Sequence, residues 1–206
     1  MPIRLLLCDD HNMVREGLRA LLSEDEEIDI VSEAADGQAA VRLAQEMRPD
    51  VVLMDLRMPE LDGIAATRAI RTTCPGTHVV VLTTFLDERQ VRDAMDAGAC
   101  GYLLKDILKH ELLEAIHAAC EGRTSLHPDA QAMLMRLRRE DDLFAQLTPR
   151  ETDVLRLIAA GRSNKEIGQE LRLTEGTVKG YVSAVFVKMR VDDRTQAALL
   201  AVKHGL

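Results

Sequence analysis

The chain predicts an α/β domain followed by an all-α one. The first is a flavodoxin-like, five-stranded parallel (βα)5 sheet over residues 1–122; a linker covers 123–146 and a four-helix unit covers 147–206. Three observations carry this expectation. Short apolar runs at 3–8, 28–34, 50–54, 78–83 and 100–104 alternate with stretches whose apolar residues recur at the helical period. Such strict alternation gives a parallel sheet with right-handed crossovers and helices on both faces. Beyond residue 147 no strand pattern remains, and two capping boxes launch helices instead. The charge changes at the same place: residues 1–146 carry 16 Lys/Arg against 27 Asp/Glu, whereas residues 147–206 carry 10 against 7.

Length and composition set the outer bounds. With 206 residues the chain is comfortable as two domains, and 47 % apolar residues with only 2 % aromatic ones make its cores aliphatic. No apolar run approaches the ~20 residues a membrane span needs, and MPIRLLLCDD lacks a signal-peptide pattern. A soluble, cytoplasmic protein with no membrane partner is therefore expected. Cys8, Cys74, Cys100 and Cys120 are far apart with no CxxC pair, which favours plain thiols in a reducing compartment over disulfides or a metal site. An acidic body with a mildly basic tail points weakly to nucleic acid at the C-terminal end.

Each element of the first domain has its own signature. IRLLLC opens the sheet, and Val14, Leu18, Leu21 and Leu22 then mark the first helix. After the second strand, Val41, Ala44 and Met47 mark the second helix. VVLM at 51–54 reads as a strand buried on both faces, followed at once by Asp55, with Pro59 and Gly63 breaking up the next segment. Further helical patterns lie near 61–72, 87–97 and 109–121, with Gly98 as the C-cap of the middle one.

The strand ends carry the chemistry. The first strand ends in Asp9 and Asp10, the third in Asp55, the fourth in Thr83 and the fifth in Lys105. In open α/β sheets that edge is where ligands bind. Three carboxylates brought together repel unless a cation joins them, and a hard divalent ion such as Mg²⁺ suits an all-oxygen set. Lys105 offers a compact positive charge for a phosphoryl oxygen and Thr83 a hydroxyl donor. An Asp carboxylate can accept a phosphoryl group covalently, a transfer that needs little beyond positioning and charge neutralisation. Taken singly, an Asp after a strand is usually a turn former, a Thr a β-branched filler and a Lys a solvated charge. Four strand ends with complementary groups in the right order outweigh those readings.

DD at 9–10, Asp55 with MPELDG after it, LTT at 82–84 and GYLLKD at 101–106 resemble a response-regulator receiver domain over residues 1–121. The resemblance implies that Asp55 is phosphorylated by a sensor histidine kinase. It implies Mg²⁺ held by Asp10, Asp55 and the backbone carbonyl of Arg57, with Asp9 acting partly through water. It also implies that Thr83 and Tyr102 shift together on phosphorylation and remodel the face around residues 84–108. Asp106 stands where many relatives have proline. Without the family pattern Tyr102 would read as an ordinary core aromatic of a strand.

In the linker, Ala130, Met133, Leu134 and Leu137 predict a short amphipathic helix after Pro128 that packs locally; Arg136 to Asp142 then read as an exposed connection. Thr148-Pro149-Arg150-Glu151 and Ser163-Asn164-Lys165-Glu166 are capping boxes, and Thr174 caps a third helix. That helix has Val178, Val182, Val185, Phe186 and Met189 inward, and a last one covers roughly 194–204. Two helices joined by a short turn fit helix-turn-helix geometry. On the outer face Lys179 can reach a guanine edge or a phosphate, and Thr177, Asn164 and Lys165 can donate to phosphates. A four-helix protein-docking module remains open on these grounds alone.

LTPRE, SNKEI, TVK and DRTQA resemble the LuxR-type DNA-binding domain over the last sixty residues. The whole chain thus resembles a two-component response regulator of the NarL/FixJ type. The resemblance implies that Lys179, Gly180 and Ser183 face bases of double-stranded DNA and that the last helix pairs two copies, a homodimer forming on phosphorylation. Gly176 and Gly180 each weaken the recognition helix by ~1 kcal/mol relative to alanine. Base readout is then sparser, with more reliance on DNA shape and backbone. The function expected is phosphorylation-switched transcription control, with at most slow self-phosphorylation and autodephosphorylation at Asp55. Two rivals stand beside it. A haloacid-dehalogenase-like phosphatase would need Asp-x-Asp after the first strand, where this chain has Asp9-Asp10-His11; a constitutive DNA binder would keep the receiver only as a scaffold.

Overall fold

The structure, a computed structural model, describes residues 1–206 and divides into two compact units, Met1–Leu134 and Met135–Leu206. Unit 1 runs β1 (Ile3–Cys8), α1 (Asn12–Leu22), β2 (Ile28–Ala34), α2 (Gly37–Met47), β3 (Val51–Met54), α3 (Gly63–Thr73), β4 (His78–Thr83), α4 (Glu88–Asp96), β5 (Gly101–Leu104), α5 (Lys109–Cys120) and β6 (Ser125–Leu126). The sheet is parallel throughout, in the order β2-β1-β3-β4-β5-β6. It has six strands, not the five expected. β6 is two residues long, too short for a period-2 pattern to register; it exists because Gly101 and Tyr102 pair with Ser125 and Leu126.

Alternation along the strands builds a core on each face. Leu5 and Leu7 with Val51 and Leu53 pack under α1 and α5; Leu6 and Cys8 with Val52 and Met54 pack under α2 and α3. The chain order reverses at β1, so the crevice outside the C-terminal ends of β1 and β3 is the expected ligand position. Gly63 closes the loop after β3: a Cβ there would meet the Asp55 carbonyl oxygen at 2.0 Å. Gly98 takes φ +97° just past the end of α4, as a C-cap glycine does.

The linker departs further from expectation. Its helix α6 spans Pro128–Ala145, eighteen residues, and does not stop where the apolar stripe does. From Arg136 to Asp142 no Gly or Pro interrupts, and opposite charges recur at i, i+4, so the segment stays helical. The first turns of α6 belong to unit 1. Ala130, Met133 and Leu134 join Leu56, Val81, Val91, Ala94 and Tyr102 in one cluster.

Unit 2 contains α7 (Pro149–Ala159), α8 (Asn164–Leu171), α9 (Glu175–Met189) and α10 (Arg194–Lys203). Both capping boxes form, at Thr148 with Glu151 and at Ser163 with Glu166, and Thr174 caps α9 by accepting from Thr177 N at 3.2 Å. Val154, Leu155, Ile158, Ile167, Val178, Val185, Met189, Ala197 and Ala201 make its core. No helix of the protein is long and apolar enough to cross a membrane.

Candidate functional site

Four strand ends meet at one edge of the sheet. Asp9, directly after β1, is buried; its Oδ1 accepts from His11 N at 2.9 Å and its Oδ2 lies 2.6 Å from Lys105 Nζ. Asp55, directly after β3, is 4 % exposed. Its Oδ1 accepts from Leu56 N at 2.9 Å, and its Oδ2 lies 3.2 Å from the same ammonium. Lys105 follows β5, and its N–H donates to the Thr83 carbonyl at 2.8 Å, tying the ends of β4 and β5 together. Thr83 is itself buried, 1 % exposed. Asp10 lies nearer the solvent with its Oδ1 2.6 Å from His11 Nδ1.

The electrostatics follow from this crowding. Burial raises the Asp55 carboxyl above its usual range; the Lys105 ammonium opposes that rise and Asp9 adds to it. Ligand atoms of Asp9, Asp10, His11 and Asp55 all lie within 4.8 Å of one another. Three carboxylates against one ammonium leave excess negative charge on hard oxygen donors, a set that fits a small divalent cation. His11 stands on the exposed rim, its side chain 69 % accessible.

Three further residues frame the mouth. The Arg57 guanidinium carbon sits 4.4 Å from the centroid of the Phe85 ring, and the Phe85 carbonyl accepts from the Tyr102 hydroxyl at 3.2 Å. Tyr102 is 0 % exposed, enclosed partly by the first turns of α6, and burial pushes its hydroxyl pKa up to about 12. Neither His11 nor the Arg57–Phe85 stack stood out in the sequence. His11 could have been suspected from its place beside two aspartates; the stack joins two loops and leaves no local signal.

In unit 2, Lys179, Gly180, Ser183 and Thr177 are all exposed on α9, and Lys165 is exposed on α8. Lys179 Nζ pairs with Glu175 at 3.2 Å. The Thr177 and Thr174 hydroxyls lie 2.8 Å apart. Asn164 is tied down: its Oδ1 accepts from Arg194 Nη1 at 3.2 Å. The structure gathers Asp9, Asp10, Asp55, Thr83 and Lys105 at one edge of unit 1, with Arg57 and Tyr102 beside them. The α8–α9 group lies in unit 2.

Comparison with known proteins agrees with this division. Residues 5–117 match the response regulator receiver domain family, and residues 145–201 match the bacterial regulatory proteins of the luxR family. The transcriptional regulatory protein LiaR of Bacillus subtilis is 45 % identical, with 99 % of each chain covered. The response regulator protein VraR of Staphylococcus epidermidis is 40 % identical over all of this chain and 99 % of its own. Among solved structures, the response regulator RcsB in complex with DNA is similar at a TM-score of 0.61 and 25 % identity, covering 97 % of this chain and 98 % of that one. A receiver followed by a LuxR-type helix-turn-helix domain, matched end to end by such relatives, makes this chain a member of the response regulator family: a transcriptional regulator of the NarL/LuxR type belonging to two-component systems.

Proposed function

We propose that Asp55 is the phosphoacceptor and that its modification sets the affinity of α9 for DNA. The observation that carries this reading is Lys105 Nζ bridging Asp9 and Asp55 at the edge where β1, β3, β4 and β5 end. The donor is a phosphohistidine on a sensor histidine kinase. An Asp55 carboxylate oxygen forms the new O–P bond as the P–N bond breaks, and the imidazole keeps the electron pair and takes up a proton. Lys105 neutralises one phosphoryl oxygen, and the Thr83 hydroxyl donates to another. Asp10, Asp55 and the Arg57 carbonyl would hold Mg²⁺, with Asp9 contributing through water; when bound, the ion supplies charge neutralisation for the transferring group. A small acyl phosphate serves slowly in place of the kinase, and water slowly removes the group.

The boundaries at 122 and 146 separate receiver, linker and DNA-binding parts. Residues 84–87 and Tyr102 pass the change at Thr83 to the face covered by α6. In unit 2, Lys179, Gly180 and Ser183 face bases, while Thr177, Asn164 and Lys165 hold phosphates. The complex of RcsB with DNA supports double-stranded DNA as the partner. Phosphorylation favours a homodimer, whose two recognition helices read two half-sites. Electrophoretic shifts on operator DNA, with and without a small acyl phosphate, test the scheme beside Asp55→Asn. Tighter binding only for the phosphorylated wild type is expected; equal affinity in all three samples would point to a constitutive binder.

A further inference from the structure

Arg15, on α1, points back at the acidic pocket without belonging to it. Its Nη1 donates to the backbone carbonyl of Asp9 at 2.6 Å, and its Nη2 donates to Asn12 Oδ1 at 2.9 Å. Its Nε lies 3.4 Å from Oε2 of Glu33 on β2, and the side chain is only 13 % accessible. Glu33 is held from its outer side, where Oε1 accepts from Arg19 Nε at 2.6 Å. This chain of charges ends on one peptide, the one joining Asp9 to Asp10.

That peptide needs an external support. β1 ends at Cys8, and the Asp9 N–H makes the last sheet-like bond, to the Ala34 carbonyl at 3.1 Å. Beyond it the Asp9 carbonyl takes its hydrogen bond from the Arg15 guanidinium. A peptide is planar, so holding its carbonyl fixes the plane that carries the Asp10 nitrogen and Cα, the anchor from which the Asp10 side chain departs. The Asp9 carboxylate is set by Lys105 and His11 N, as described above; for Asp10 the only polar contact of the carboxylate is the exposed His11.

We infer that Arg15 is a positioning residue for the phosphoryl-acceptor pocket: by clamping the Asp9 carbonyl it holds Asp10 in register with Asp9 and Asp55, and Glu33 orients Arg15 for that task. The inference rests on the acceptor reading above. It has a consequence that simple electrostatics reverses. Arg15 is a cation near a cation site, so its removal by charge alone should tighten Mg²⁺ binding. Removal of a positioning contact should weaken it, as loss of the groups that orient metal ligands costs 10–100-fold in affinity.

Calorimetric titration of the full chain with MgCl₂ separates the two. For Arg15→Gln the dissociation constant is expected to rise about tenfold, with partial recovery in Arg15→Lys, which keeps a donor. Glu33→Gln, one step further from the ligands, is expected to raise it by a smaller factor than Arg15→Gln. Arg123→Gln removes an exposed positive charge paired only with Glu121 and should leave affinity as in the wild type. The rate of labelling by acetyl phosphate should fall in Arg15→Gln at low Mg²⁺ and return to the wild-type rate at saturation. An unchanged or tighter constant in Arg15→Gln would overturn the inference; should that variant not fold, an unchanged constant in Glu33→Gln would do so. Wild-type protein that neither binds Mg²⁺ nor takes a phosphoryl group would instead sink the acceptor reading itself, and the role of Arg15 with it.

Discussion

The Tyr102 hydroxyl donates to the Phe85 carbonyl at 3.2 Å, so the one large aromatic of the sheet is bonded to the loop that leaves Thr83. The same tyrosine is backed by α6 and its carbonyl accepts from His127 N at 2.8 Å. Tyr102 thus links the loop after Thr83 to residue 127 just before α6. Tyr102→Phe keeps the ring and loses one neutral hydrogen bond, a cost of about 1 kcal/mol. We expect its thermal midpoint to stay within a few degrees of wild type while the phosphorylation-dependent gain in DNA affinity shrinks. A full gain in Tyr102→Phe would leave the hydroxyl no part in it.

Ionising Asp55 carries a cost. Its carboxyl is raised chiefly by burial, against the pull of Lys105. A raised folded value favours folding at low pH, and that contribution is lost as pH rises through it. Asp55→Asn does not titrate, so without divalent ions it should melt at or above the wild-type temperature at neutral pH. Each kcal/mol gained is worth a few °C in a unit of the size of unit 1. The advantage should fade below the ordinary carboxylate range and narrow when Mg²⁺ is added. Calorimetric melts over a pH series read this directly.

Glu151 shows the opposite sign in unit 2. Lys188 Nζ lies 2.6 Å from its Oε2, which also accepts from Thr148 N at 2.7 Å, and these contacts hold the carboxyl below its usual range. Stability from a lowered carboxyl is present above its unfolded value and lost as pH falls through the folded one. Glu151→Gln can keep the capping contact but loses the charge facing Lys188, so it should cost up to about 1 kcal/mol near neutral pH, and the gap to wild type should close in acid. Denaturant titrations of unit 2 helicity at several pH values check it.

Gly180 offers a separable test of the DNA face. A Cβ there meets nothing within 4 Å, and its φ is helical, so Gly180→Ala should stabilise α9 by about 1 kcal/mol. If this position lies against bases, the same methyl should weaken operator binding. A more stable variant with unaltered DNA affinity would move Gly180 off the contact surface.

Much of this was legible in the chain, for physical reasons. Alternating runs such as VVLM and HVVVLT are long enough to carry the strand period, and capping boxes such as Thr148–Glu151 are local by nature. Asp9, Asp10, Asp55, Thr83 and Lys105 could be gathered because strand ends in a parallel sheet must share an edge. β6 was invisible because two residues have no period. The continuation of α6 past Leu137 carries no apolar period, and a polar helix face looks like a linker. Arg15 to the Asp9 carbonyl and Arg57 over Phe85 join segments through the backbone or between loops, where sequence spacing says nothing.

The most direct test joins modification to readout in one sample. Purified full-length protein is incubated with acetyl phosphate and Mg²⁺, weighed intact by mass spectrometry, mapped by peptide, and titrated onto operator DNA. The account predicts one added phosphoryl group, located on Asp55 and dependent on Mg²⁺, together with tighter operator binding. An unmodified mass, a group on another residue, or a phosphorylated Asp55 with DNA affinity unchanged would contradict it.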